Sequence, residues 1–286
     1  LMFLAKHFMK KSYPLFIVLI FSWTTISAQN KLEKSKSELN SSSRSNTNSG
    51  NSSSRSSSSS SDDDDSLGFF GDLFFYITFG VFKYGLIGDY TNEDHLYSNL
   101  TPYPFYNGKS GNYESIITET IGKNVCRIDV ENKFIYNNSS LLGNHLEVKA
   151  RPFQYFYIQA DYRELFEFNK VQNTTNNLSL LHLNLAYDRV RLERFNLGWN
   201  IGASYVGNEV GKFGFSFGLS ADYFMTNQIS FSGSQQWSSI NGFPVNALEL
   251  QSKYHKKNYF FTMGYERLKI ATPVYNFITV GGGIYF

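Results

Sequence analysis

Residues Phe195–Tyr223 read FNLGWNIGASYVGNEVGKFGFSFGLSADY, two alternating runs joined by a short polar turn. In the first, Phe195, Leu197, Trp199, Ile201, Ala203 and Tyr205 share one face and Asn196, Gly198, Asn200, Gly202 and Ser204 the other. In the second, Phe213, Phe215, Phe217, Leu219, Ala221 and Tyr223 oppose Gly214, Ser216, Gly218, Ser220 and Asp222. A period of two is the signature of a strand. Ten steps of roughly 3.3 Å, tilted by about 40°, cover roughly 25 Å along a barrel axis, the height of the apolar band of a membrane barrel. A soluble sheet would clothe its second face in Lys, Glu and Thr; here that face is Gly, Ser and Asn, small enough to crowd a narrow lumen. The apolar face is therefore expected to meet lipid.

The rest of the composition agrees. Among 286 residues, 27 are Phe and 20 Tyr, and aromatic enrichment favours strands and membrane interfaces. The net charge of +2 is too small to argue for a nucleic-acid partner. A single cysteine, Cys126, excludes an intramolecular disulfide. No Cys follows the leader, which argues against a lipoprotein.

Met9, Lys10 and Lys11 precede the apolar run 15–21, and Ile26, Ser27 and Ala28 come before Gln29. That order is expected of a signal peptide over residues 1–28, started at Met9 and cut after Ala28, with an uncleaved anchor as the alternative. Residues 29–66 are Ser-, Asn- and Asp-rich and too polar to bury a core of their own, so a disordered linker is expected there. The stretch LGFFGDLFFYITFGVFKYGLIG (67–88) approaches the length of a membrane span, but Asp72, Lys83 and its glycines weaken that reading. A helical segment lying in the membrane interface is expected instead, with an extra strand or a plug as alternatives. Residues 89–124, with Pro102, Pro104, Gly108 and Gly111, read as a long loop.

From residue 125 to 286 the alternation is regular: Ile128, Val130, Phe134 and Tyr136 oppose Arg127, Asp129, Glu131 and Lys133, and further runs follow to the end. They total about ten strands, with eight or twelve as alternatives, and an even count leaves both barrel ends on one side. The expected fold is all-β, an antiparallel up-and-down transmembrane β-barrel with the linker and interfacial segment before it.

A leader, amphipathic strands and a final Tyr285-Phe286 together resemble the outer-membrane β-barrel proteins of Gram-negative bacteria. The resemblance covers residues 125–286. It implies residence in the outer membrane among its lipids, with the N-terminal linker in the periplasm. It also implies that Ile284, Tyr285 and Phe286 form a signal for the barrel assembly machinery.

The chemistry gathers in the first four strands, where Arg127, Asp129, Glu131, Lys133, His145, Glu147, Lys149, Arg151, Asp161, Arg163, His182 and Asn184 are all expected in the lumen. Opposite charges on neighbouring strands would pair and fill a narrow barrel. Alternatively His145 or His182 serves as a general base, but the two lie two strands apart, roughly 10 Å, with no serine or acid fixed between them in the sequence reading. Scattered histidines without a companion cysteine give no metal spacing, and Gly281–Gly283 lacks the lysine of a phosphate loop. No cofactor is expected. The first expectation is a non-enzymatic outer-membrane barrel with a structural, adhesive or narrow-channel role. The alternatives are a barrel hydrolase or acyltransferase acting on lipid or peptide, and an exported soluble barrel binding a small apolar ligand.

Overall fold

The computed structural model describes residues 30–41, 81–108, 111–115, 126–170 and 172–286. Ten antiparallel strands close into a barrel: β1 (Arg127–Asn138), β2 (Leu141–Arg151), β3 (Phe156–Asn169), β4 (Thr174–Arg191), β5 (Phe195–Val206), β6 (Lys212–Phe224), β7 (Ile229–Ile240), β8 (Phe243–Lys256), β9 (Tyr259–Ile270) and β10 (Val274–Tyr285). Each strand pairs with its sequence neighbours. The last returns to the first, Ile278 facing Tyr136 and Tyr285 facing Asp129. Closure removes the edges that an open sheet would present. Strands are joined by short turns; Asn241 and Gly242, both at positive φ, form the two-residue link between β7 and β8 that matches the natural twist of a hairpin.

The period of two sorts the side chains as the sequence indicates. Phe215, Leu183 and Val280 stand more than half exposed on the outer wall, whereas Asn200, Ser216 and Lys133 are buried inside. An outer wall this apolar around a polar interior is the arrangement of a transmembrane barrel. The small residues of β5 and β6 are spacers: a Cβ at Gly218 would come within 2.7 Å of the Asn200 amide nitrogen. Part of the room so left is a chamber that Asn200, Ser220 and Asp222 line from this side. Among the described residues no helix is long and apolar enough to cross a membrane, which says nothing about strands.

The two mouths differ. At the terminal mouth, where β1 begins and β10 ends, charged inward side chains such as Arg127, Asp129 and Arg151 are interleaved with the aromatics Tyr157, Phe224, Phe260 and Tyr285. Towards the far mouth the same parity turns apolar: Lys133 gives way to Ile135, Arg163 to Leu165, Glu266 to Leu268 and Ile270, and Thr279 to Phe277 and Tyr275. These side chains form a hydrophobic core inside the barrel. At its centre lies a helix, α1 (Lys31–Asn40), with Leu32 and Leu39 fully buried. The far mouth is thus corked by part of the N-terminal segment.

Within the linker expected over 29–66, residues Lys31–Asn40 are instead helical and lie inside the far mouth. The composition argument was sound for an isolated segment, but the barrel wall supplies the burial that α1 lacks. It also supplies the cap: the backbone N–H groups of Lys31 and Leu32 donate to the two carboxylate oxygens of Glu167, each at 3.0 Å, answering donors that a helix leaves unpaired at its first turn. Ser35 Oγ donates to the Ile270 carbonyl at 3.1 Å and lies 2.8 Å from the Tyr275 hydroxyl. The Thr272 N–H donates to Glu38 at 2.8 Å. The rest of 42–66 and residues 67–80 of the expected interfacial segment lie outside the described residues.

Residues 81–115 gather at the terminal mouth. Residues Val81–Ile87 form a π-helical turn against the outer wall, where the Trp199 indole donates to the Leu86 carbonyl and the Tyr187 hydroxyl to that of Ile87. Past Glu93 the chain turns inward, and the stretch expected to be a loop carries short 3-10 turns and a two-residue ladder pairing Asn99 with Glu114. Leu96, Leu100 and Tyr113 are buried there.

Replacing both Leu32 and Leu39 by Ala is expected to lower barrel stability in detergent, each site by about 2–5 kcal/mol as for other core leucine truncations. Denaturant midpoints followed by heat-modifiable gel mobility measure it; an unchanged midpoint would mean that α1 adds nothing to the folded barrel.

Candidate functional site

The lumen between the apolar core and the terminal mouth is where the polar chemistry lies. Alternation sends Arg127, Asp129, Glu131 and Lys133 inward from β1, His145, Glu147, Lys149 and Arg151 from β2, Asp161 and Arg163 from β3, and His182 and Asn184 from β4. All twelve sequence-predicted residues face the lumen, and all but Asp129 and Lys149 are buried.

Their partners come from across the barrel. Lys133 ion-pairs with Glu249 of β8; Arg163 pairs with Asp161 beside it and with Glu266 of β9. His145 places Nε2 2.8 Å from Asp161 and Nδ1 3.2 Å from Glu266. Both ring nitrogens face carboxylate oxygens, which suits a doubly protonated ring, since a neutral imidazole would turn a lone pair towards one of them. Nearer the terminal mouth, Arg151 holds Asp188 at 2.8 Å and Asp129 at 3.4 Å, and Arg127 reaches Asp129 at 2.7 Å.

Sequence spacing alone fixes no acid between the two histidines, but the fold supplies one. Asp161 lies between them, with Oδ1 3.5 Å from His182 Nδ1. Strand β3 intervenes between β2 and β4, so its inward acid falls there automatically. His145, Glu249 and Glu266 also bring ligand atoms within 4.8 Å of one another. Lys133 and Arg163 already engage the two carboxylates and both nitrogens of His145 are committed, so the trio fits ion pairing better than a metal.

Glu249, Lys253, Glu266, Asp188 and Asp222 are missing from the sequence-predicted cluster. The signal was present: Glu249, Gln251, Lys253 and His255 share one parity of β8 opposite Leu250 and Tyr254. A serine–histidine pair was missed as well, Ser230 Oγ lying 2.7 Å from His255 Nε2. Among the described residues no hydrogen-bond partner meets His255 Nδ1, and no acid orients the pair.

Two chambers of about 40 Å³ each lie along this stretch and share Glu147, Lys149, Asp222 and Lys253 as lining. Among the described residues, the first exposes polar atoms that no hydrogen bond answers: His182 Nε2, Asn200 Oδ1 and Gln236 Nε2. Polar space of that size suits water or a very small solute. The second lies under the loop of the terminal mouth, whose Phe105 ring meets Phe224 and His255 edge-on. Arg127 ties that loop to β1, donating to the Thr101 carbonyl and Asn112 Oδ1, each at 3.1 Å.

Tyr113 of the loop donates to Asp188 at 2.5 Å, and burial together with that carboxylate pushes its hydroxyl well up. On the rim, Arg189 grips the Glu93 carboxylate with two nitrogens, both at 2.8 Å, and holds Glu93 below the usual glutamate value. Burial lowers the neighbouring His95. Of the terminal residues, Ile284 is half-buried, Tyr285 turns inward and Phe286 is exposed. Cys126 is exposed just before β1.

No protein-family model matches the chain, and no curated protein matches its sequence. Among solved structures, it is similar to an outer membrane channel from Pseudomonas putida F1, at 8% identity over 59% of this chain and 100% of that one, TM-score 0.35. It is similar to Ail, the attachment invasion locus protein of Yersinia pestis, at 12% identity over 58% and 100%, TM-score 0.31. The outer membrane protease OmpT from Escherichia coli matches at 11% identity over 59% and 99%, TM-score 0.35. Overlaps this loose do not choose among a channel, an attachment protein and a protease.

Glu266→Ala strands Arg163 and His145 in a low-dielectric interior and is expected to cost about 3–5 kcal/mol, read as a lower denaturation midpoint. At the rim the sign runs the other way from a base. A carboxylate with a depressed folded value stabilises above its unfolded value and loses that contribution as pH falls through the folded one. Acidification below the ordinary glutamate range should therefore release residues 84–96, seen as faster amide exchange there, and Arg189→Gln should weaken this pH response, the part that remains coming from Asp89, held low by its hydrogen bonds from Asn92 and Thr91.

Proposed function

We propose that the chain is a non-enzymatic outer-membrane β-barrel with a sealed lumen, a structural component of the membrane more than a pore. The observation that carries this reading is the apolar core of the far mouth. Leu32 and Leu39 of α1 are packed among inward-facing leucines, isoleucines and aromatics, so ions meet a dry layer instead of a polar path. Below that layer the cross-lumen ion pairs staple opposite walls, which supports a rigid role. The apolar outer wall supports lipid as its surroundings and speaks against the exported soluble barrel. In this reading the terminal mouth faces the periplasm, and Ile284, Tyr285 and Phe286 are what the barrel assembly machinery reads.

A second reading, a barrel hydrolase, is favoured by the contact between Ser230 and His255. Its histidine is oriented by no acid, and Phe105 and Phe224 crowd the pair.

The purified full chain in a planar bilayer is expected to give no conductance steps, and deletion of residues 30–41 to introduce them. Steady conductance by the full chain would refute the sealed lumen. Recovery in solution after membranes are pelleted without detergent would instead favour the soluble alternative. Labelling by a fluorophosphonate that is lost in Ser230→Ala would favour the hydrolase.

A further inference from the structure

The acids that line the two chambers are matched with cations of the barrel, save one. Lys149 stands 3.0 Å from Glu147 and Lys253 2.5 Å from Glu131, while Arg127 takes Asp129, Lys133 takes Glu249 and Arg163 takes Asp161. Asp222 of β6 lines both chambers. Among the described residues no cation pairs with its carboxylate and no hydrogen bond reaches it. A lone carboxylate in an interior of low dielectric is strongly unfavourable until a positive charge joins it.

The wall around Asp222 offers oxygen atoms. Alternation along β6 puts Ser220 next to it on the inward face, and the ladder with β7 sets Ser232 opposite Asp222 and Ser234 opposite Ser220. On the other flank Ser220 faces Gly198 and, one row further, Gly218 faces Asn200. Ser232 gives its proton to Gln251 at 3.3 Å and keeps its lone pairs free. Asn200 is only 4% exposed and lines the same chamber, and no hydrogen bond answers its Oδ1. Gly198 keeps the floor clear: a Cβ there would come within 2.7 Å of Asp188 Oδ1 and 3.3 Å of Ser220 Oγ.

One uncompensated negative charge among neutral oxygens suits an ion of a single positive charge. Divalent cations ask for more carboxylates. An anion would need a free basic group, and those of both chambers are taken, Arg151 by Asp188 and the rest as above. The first chamber, about 40 Å³, has room for such an ion with a few waters. We propose that this chamber binds a small monovalent cation, an alkali ion or ammonium, on the Asp222 carboxylate and the Ser220 and Ser232 hydroxyl oxygens, with Asn200 Oδ1 taking a water of its shell. The ion completes the pairing of the charged belt. The site stands whether or not the far mouth conducts.

The test uses the full chain folded in detergent, in rubidium chloride or in the chloride of the bulky cation N-methyl-D-glucamine at equal ionic strength. Rubidium is expected to raise the denaturation midpoint, and Asp222→Asn to abolish that rise. Anomalous diffraction from crystals grown in rubidium should show a peak beside Asp222 in the unsubstituted chain and none in the variant. Should Asp222→Asn fail to fold, Ser220→Ala is expected to need several-fold more rubidium for the same rise. Ammonium chloride at the same concentration separates the two candidates: an equal or larger rise assigns ammonium, and a smaller one an alkali ion. Absence of the peak from the unsubstituted chain, or a peak or midpoint rise that Asp222→Asn leaves in place, overturns the site. So does a Ser220→Ala chain that responds to rubidium as the unsubstituted one does.

Discussion

Ten strands closed on themselves leave a lumen about as wide as the side chains that enter it, so every group sent inward must meet a complementary one there. The protein meets that demand in two ways along one axis. Towards the terminal mouth charged inward side chains pair across the lumen, as Lys133 does with Glu249 and Arg163 with Glu266. Towards the far mouth they are apolar and close around α1. The first half resembles the interior of a membrane barrel and the second the core of a soluble domain. The small residues of β5 and β6 leave the polar space that lies along the first half.

The electrostatics follow from the same constraint. An isolated ion in this interior would be strongly unfavourable, and pairing two ions adds little net stability over apolar packing, but removing one partner leaves the other stranded. The charged belt therefore fixes which strands may face one another more than it raises stability. His145 belongs to that belt. With an acid on each side of its ring it works as a cationic bridge between β3 and β9, a different task from that of a base.

The alternation of Phe195–Tyr223 made the strands, their number and the inside–outside assignment legible, because a period of two is a local property and each run carries it alone. Trp199 and Phe215 face outward and Asn200 and Ser216 inward for no further reason than parity. What the sequence hid is relational. That Asp161 bridges two histidines depends on strand order, and that Glu249 lies beside Lys133 depends on closure between distant strands. Leu32 and Leu39, two apolar residues in a polar run, signal nothing until the Ile135, Leu165 and Leu268 positions are seen to ring one mouth. That ring was written in the strands as a change of inward residue type at the same end of each, a pattern visible only after all the runs are aligned by direction.

The contacts of α1 join the beginning of the chain to its very end: Ser35 meets Tyr275, 240 positions later, in the final strand. This helix, made early in synthesis, consequently has no home until the last hairpin is in place. An unfinished or truncated barrel leaves Leu32 and Leu39 on display, while a finished one conceals them. The fold thus carries its own mark of completion, a greasy tag that disappears only when the cylinder is whole.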